Sequence, residues 1–376
     1  MIRRVIKAGL PAMVVGLACF GVASPSAAQD RPANAGADEA RFLLLQSKPK
    51  AYAVVESTAG HDSARIRMAG LEAAQHAPDA ALDLARAGIV DENPAVRFAA
   101  LVTIGKLELG RLADAALDLT RDDNPSVRAA AIFAAKRCGR DVDLSPLGAM
   151  LASPSPTTRA NAAMLIGQLG DAQAFDMLRD MAGRPMPRVS TAERAWVRLQ
   201  FAEAMIRLNP DDLEVLSTIR AAMFSTHDDV RVLAMQVLGD IGDRAVVDGL
   251  AAVIKRDNPV QAKIAAAQAM AQLGDRRGVK TLIDASSYDR ETLAKELQAY
   301  LRKADDDNSA EARALQEVLA DPAQLDRIAA EVRAQAARGL TWVRTAASAQ
   351  RLAELLDDPD TIVRVASAAA VLRASR

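Results

Sequence analysis

The stretch Glu92-Asn93-Pro94-Ala95-Val96-Arg97-Phe98-Ala99-Ala100 returns, little changed, as Asp123-Asn124-Pro125-Ser126-Val127-Arg128, and again as Asp358-Pro359 leading to Val363-Arg364. The phrase is an acidic residue or Asn, often Pro, then Val-Arg and two small residues, commonly with Leu and Gly ten and eleven residues after the Arg. Weaker copies place the basic residue at Arg67, Arg159, Arg198, Arg231, Lys263, Lys295 and Arg327, with Arg333 an alternative register for the last. The interval is about thirty to forty residues throughout, the signature of a repeat architecture.

Each unit reads as two helices. Around Arg159, the residues Ala162, Ala163, Ile166 and Leu169 share one helical stripe, and Gly170-Asp171 ends that helix and begins the next. The same stop recurs at Gly242-Asp243 and Gly274-Asp275. Glycine supplies the left-handed residue after a helix end, and Asp satisfies free N–H groups of the helix that follows. At the other turn, Asn124-Pro125 and Asn258-Pro259 set a capping side chain before a proline at the first helical position. No alternating pattern argues for a strand. A lone helix pair cannot bury its stripe, so the pairs must stack, and the expected fold is an all-α solenoid, an armadillo-type superhelix of about ten hairpins.

The phrase resembles the HEAT repeat, in particular the short HEAT-like form of phycobilisome bilin lyases, and the resemblance covers about 39–374. It implies that the helices carrying Val-Arg, beginning near Arg97, Arg128, Arg159, Arg198, Arg231 and Arg364, line a concave face that binds a partner. It also implies a first outer helix from Glu39 to about Ala59 and a last inner helix from Asp360 to Ala374.

Composition fits this plan. Half of the 376 residues are apolar yet only 3% are aromatic, which suits many narrow helix contacts filled by Ala and Leu. Residues 1–28 have the three-part layout of a signal peptide: Arg3, Arg4 and Lys7, the apolar run Leu10–Ala23, then Ser26-Ala27-Ala28 before Gln29. Cleavage is expected between Ala28 and Gln29, giving a periplasmic or secreted protein with no stable membrane span. Two alternatives stay open: a lipid anchor at Cys19, and a twin-arginine signal at Arg3-Arg4. Removing 1–28 leaves 44 cations against 48 acids, a balance that disfavours nucleic-acid binding. Residues 29–37 read as a flexible leader, 38–376 as the repeat region, and 304–309 as an acidic linker.

No hydrolase, nucleotide, zinc-protease or haem motif occurs, so neither a cofactor nor a metal is expected. His227-Asp228-Asp229 falls on a capping turn, and His61 and His76 are too far apart in sequence for a ligand pair. Cys138 holds the slot taken elsewhere by Leu107, Leu169, Leu208, Ile241 and Leu273, which makes it an apolar filler. The basic ladder reads as pairing with its own acidic caps. The period breaks near 183–194 and 339–348, and both tryptophans fall there. Arg184, Met186, Arg188, Trp196, Trp342 and Arg344 are therefore the candidate partner-binding residues, against the plainer reading that each Trp fills a packing gap. The expected function is that of an exported, non-enzymatic scaffold or adaptor binding a protein. The alternatives are a small-molecule handler of the bilin-lyase kind and a nucleic-acid-binding HEAT protein; the oligomeric state is open.

Overall fold

The computed structural model describes residues 35–256, 258–302 and 310–376. All regular structure among them is helical. The signal peptide with its Ala28–Gln29 junction, Cys19, leader residues 29–34 and the linker 304–309 lie outside the described residues. The chain forms two compact units, one of Tyr52–Val246 and one of Val247–Arg376 with the described residues up to Ala51.

Helix α1 (Ala35–Glu56) begins earlier than expected and takes in residues 35–37 of the leader. In the unit of Tyr52–Val246 follow α2 (Ala64–Ala74), α3 (Pro78–Gly88), α4 (Pro94–Leu107), α5 (Ala113–Asp118), α6 (Pro125–Arg137) and α7 (Ser145–Met150). Then come α8 (Pro156–Leu169), α9 (Ala174–Gly183), α10 (Thr191–Leu208), α11 (Leu213–Ala222) and α12 (Asp228–Asp240). The even-numbered helices α2 to α12 pack on one another in chain order, and the odd-numbered ones pack against the neighbours they connect.

Local chemistry sets these boundaries. Asn93 accepts a hydrogen bond from the backbone N–H of Ala95, and Asn124 accepts from Ser126 and Val127. Proline follows each of these caps at the first helical position, where no donor is lost. Gly139, Gly170, Gly242 and Gly274 leave their helices at φ of 76 to 79°, the left-handed region that lets the chain turn back. The Asn258-Pro259 turn departs from expectation. Pro259 itself occupies the capping position, and the Asn258 amide instead donates to the carbonyl of Val253.

The Val-Arg helices are far more enclosed than helices lining an open face would be. Neither α4 nor α8 has an exposed residue, and Phe98 to Gly105 are buried without interruption. A helix that is apolar all round belongs to the interior. The connecting helices are the amphipathic ones: α3 buries Ala80, Ala81, Leu84 and Ala85 while Asp83 and Arg86 face solvent. Small residues permit the close spacing. A Cβ on Gly167 would stand 2.8 Å from the Ala204 Cα, so backbone meets backbone there.

The slot read as apolar filler sits in the last turn of each helix, where cover thins. Leu107, Cys138, Leu169, Leu208 and Ile241 are only half-buried, while Leu273 is buried.

The second unit continues with α13 (Val247–Lys255), α14 (Val260–Gln272), α15 (Val279–Ala285), α16 (Arg290–Leu301), α17 (Ala310–Ala320), α18 (Pro322–Leu340), α19 (Ala346–Leu355) and α20 (Thr361–Ala374). Here α14 packs on α18 and α18 on α20, so α16 and α17 are passed over. That pair forms its own small core against the start of α18, built from Leu293, Val318, Leu325, Ile328 and Ala329. Lys295 thus lies on an inserted helix and not on a repeat helix.

Two substitutions test this packing. Gly167→Ala should cost about 1–3 kcal/mol, because the Ala204 backbone cannot yield easily. Leu273→Ala should cost about 2–5 kcal/mol by leaving a cavity at a site only 4% exposed. Urea unfolding followed by circular dichroism reads both; values near zero would show that these contacts are not tight.

Candidate partner-binding site

The ladder arginines occupy one defined position, the fourth residue after the helix cap. Arg97 follows Asn93, Arg128 follows Asn124, Arg159 follows Ser155, and Arg364 follows Asp360. From there the guanidinium folds back on its own turn. Arg97 donates to the carbonyls of Asp91 and Glu92, Arg128 to those of Asp122 and Asp123, and Arg364 to those of Asp358 and Pro359. The rest of the fork reaches forward to the next turn. Arg67 pairs with Asp91 in a two-pronged bond at 2.6 and 2.8 Å, Arg97 with Asp122 at 2.9 and 3.1 Å, and Arg333 with Asp358 at 2.8 and 2.9 Å. The partner is therefore mainly the acid of the adjacent turn.

That acid sits two residues before the cap and has a second task. Asp91, Asp122 and Asp358 each accept the backbone N–H of the capping residue, Asn93, Asn124 and Asp360. Planar, charge-assisted pairs of this kind are the strong ones.

Two positions read from sequence need correction. In α10 the cap is Ser190, in a reciprocal box with Glu193, so the fourth residue is Arg194. Arg194 makes the turn contact, donating to the Val189 carbonyl, while Arg198 is exposed. An extra helical turn at the start of α10 displaced the ladder position, yet Ala204 still meets α8 six residues after Arg198, as Ala134 meets Gly105 of α4 six residues after Arg128. Likewise Arg333, not Arg327, makes the ladder bond, because α18 has extra turns at its start. Its other contact is the carbonyl of Tyr288, in the turn before the inserted helices.

The ladder fails in the middle of the first unit. Two residues before Ser155 stands Ser153, which caps through its hydroxyl but holds no arginine. Two residues before Ser190 stands Arg188, a cation in the carboxylate's place. Arg188 is exposed and has φ of 65°, uncommon for a side chain of its size. Arg159 is consequently 9% exposed with no carboxylate beside it; it donates only to the carbonyls of Ser153 and Ala152. The Nε of Arg194 is sealed from solvent with no acceptor. Beside Arg159 lies a cleft of about 240 Å³, walled by Pro154, Pro156, Met186, Pro187 and Val189.

Of the six candidate residues, Met186 lines this cleft, and Arg184 is exposed and paired with Asp180. Trp196 is buried within α10. In the second unit Trp342 is half-buried beneath the guanidinium of Arg373, 4.0 Å from its centroid, and its Nε1 is sealed without an acceptor. Arg344 is exposed. Of the six, Arg184, Arg188 and Arg344 are the exposed ones. Arg159 was missed as a site residue because the expected ladder of arginines paired with acidic caps seemed to account for it. Burial pushes the Cys138 thiol above its ordinary value, which keeps it a weak nucleophile.

No protein-family model matches the chain, and no curated protein matches it in sequence. Among the solved structures, 18 chains match. One is human deoxyhypusine hydroxylase in complex with glycerol, at 14% identity and a TM-score of 0.33, covering 87% of this chain and 96% of that one. The likeness is too distant to bear on function.

The ladder makes stability depend on pH. The Arg67 hydrogen bond, helped by the Asn93 N–H and the charges of Arg67 and Arg97, holds the Asp91 carboxyl below the usual range in spite of burial. A carboxyl whose folded pKa lies below its unfolded value of about 3.9 stabilises above that value, and the contribution is lost as pH falls through the folded one. Asp91→Asn should therefore lower the urea midpoint at pH 7 and flatten its decline below about pH 4. Equal declines in variant and wild type would show that the pair does not govern acid sensitivity.

Proposed function

We propose that the chain is an exported, non-enzymatic α-solenoid of HEAT-like hairpins that binds a protein partner. Export rests on the signal-like layout of residues 1–28. The solenoid reading is supported by the in-order packing of repeat helices within each unit and by the turn-to-turn arginine bonds. Binding is assigned to the turns and the irregular loop, since the Val-Arg helices have almost no free surface. Among the described residues, no helix is long and apolar enough to cross a membrane.

The observation that carries the reading is the cleft beside the 184–190 loop. At Arg67, Arg97 and Arg333 the arginine is spent on the Asp of a neighbouring turn. At this one irregular turn it lies beside an apolar wall of proline and methionine, with Arg184 and Arg188 exposed around it. Apolar walls with a few oriented polar groups are what recognition sites present.

Affinity capture tests the proposal. The tagged full chain, incubated with envelope extract, should retain one or a few proteins absent from a tag-only control. The Arg184→Ala, Arg188→Ala double variant should lose most of that signal at unchanged helicity. Retention of the same proteins by both would remove the loop from the binding surface. Nothing retained above control would defeat the adaptor reading itself.

A further inference from the structure

We infer that the cleft at Arg159 is a carboxylate site, which takes an Asp or Glu side chain presented by the partner as a replacement for the acid missing from the ladder. The inference rests on the protein-binding reading and specifies its chemistry.

The intact rungs define what the cleft lacks. At Arg67 and Arg97 the guanidinium is satisfied by carbonyls of its own turn on one side and by an Asp of the next turn on the other, and at Arg333 by the Tyr288 carbonyl and Asp358. At Arg159 the first half is kept, through the carbonyls of Ser153 and Ala152, and the second half is absent. The side chain is nine-tenths buried, and burying an uncompensated charge is costly. Nearby acids are engaged elsewhere: Glu193 closes the box with Ser190, and Asp180 holds Arg184. Arg194, which makes the corresponding turn contact to the Val189 carbonyl, does not line the cleft, so Arg159 is the cation that faces it. The vacant place is the size of a carboxylate, since an Asp fills it in three other rungs. Its walls, Pro154, Pro156, Met186, Pro187 and Val189, are apolar and suit a peptide better than a free hydrated anion.

The sequence itself supplies the control. Arg188→Asp restores the residue type that completes the other rungs, at a backbone position with φ of 65° that Asp tolerates better than Arg. It should fill the site from within the chain. The probe is the peptide acetyl-Ala-Asp-Ala-amide, added to the full chain while the arginine Nε–H signals are followed by NMR. The Asn version and inorganic phosphate serve as comparisons. Saturable shifts of the Arg159 signal are expected with the Asp peptide, with affinity for the Asn peptide at least about tenfold weaker. Arg159→Gln should abolish the response. Arg188→Asp should abolish it as well while raising Tm by about 2 °C, which separates blocked binding from damaged folding.

Equal response to the Asn peptide, no saturation, or undiminished binding by Arg188→Asp would each overturn the proposal. Saturation by phosphate at lower concentration than by the Asp peptide would overturn the assignment to a carboxylate. If the peptide fails while envelope capture succeeds, the chemistry assigned to the cleft is wrong and the adaptor reading stands. If the peptide binds while capture fails, the site stands and the adaptor reading falls.

Discussion

A guanidinium that belongs to two turns at once is the constraint on which the structure depends. Its own carbonyls fix the arginine rotamer, and the Asp of the following turn then has to arrive at a set distance. Hydrophobic burial is not directional, and helices lined with Ala and Gly could slide along each other with little loss. The charged fork supplies the missing register. It is largely desolvated, with the Arg67 and Asp91 side chains 13% and 10% exposed, so it differs from surface pairs that contribute about 0–1 kcal/mol.

This division of labour explains why a single loop stands out. The cores on either side of α8 and α10 are continuous, with Leu165, Phe201 and Ala202 buried as in any repeat. Only the electrostatic half of the pattern lapses, at Ser153 and again at Arg188. Folding therefore tolerates the lapse, and a polar group left partly unmet in a well-packed region is the kind of local inconsistency that marks a functional position.

Much of the fold was legible because the repeat states the same local rules several times. Asn-Pro starts and Gly stops were readable from single residues, and the helices they bound are present. What escaped was displacement by whole helical turns. The Val-Arg phrase pointed to Arg198, since packing contacts keep that register, but Ser190 starts the helix one turn early and gives the ladder position to Arg194. The insertion of α16 and α17 was hidden for a related reason. Two added helices carry their own apolar stripes and nearly preserve the period, so Lys295 and Arg327 mimic rungs. The cleft was legible in principle, because aligning the turns by their caps shows an acid, an acid, a Ser and then Arg188. The near-complete burial of the Val-Arg helices was not, since it depends on neighbours that no single repeat encodes.

Arg333 reaches across the inserted helices to the carbonyl of Tyr288 as though the chain between them were absent. The two ends of that excursion are thus held a fixed, short distance apart by a bond that belongs to the stack and not to the excursion. Closing a longer connection adds only about 0.6 kcal/mol for each doubling of its length. The junction between Tyr288 and α18 is therefore closed by the stack itself, whatever the length of chain that loops out between its two sides.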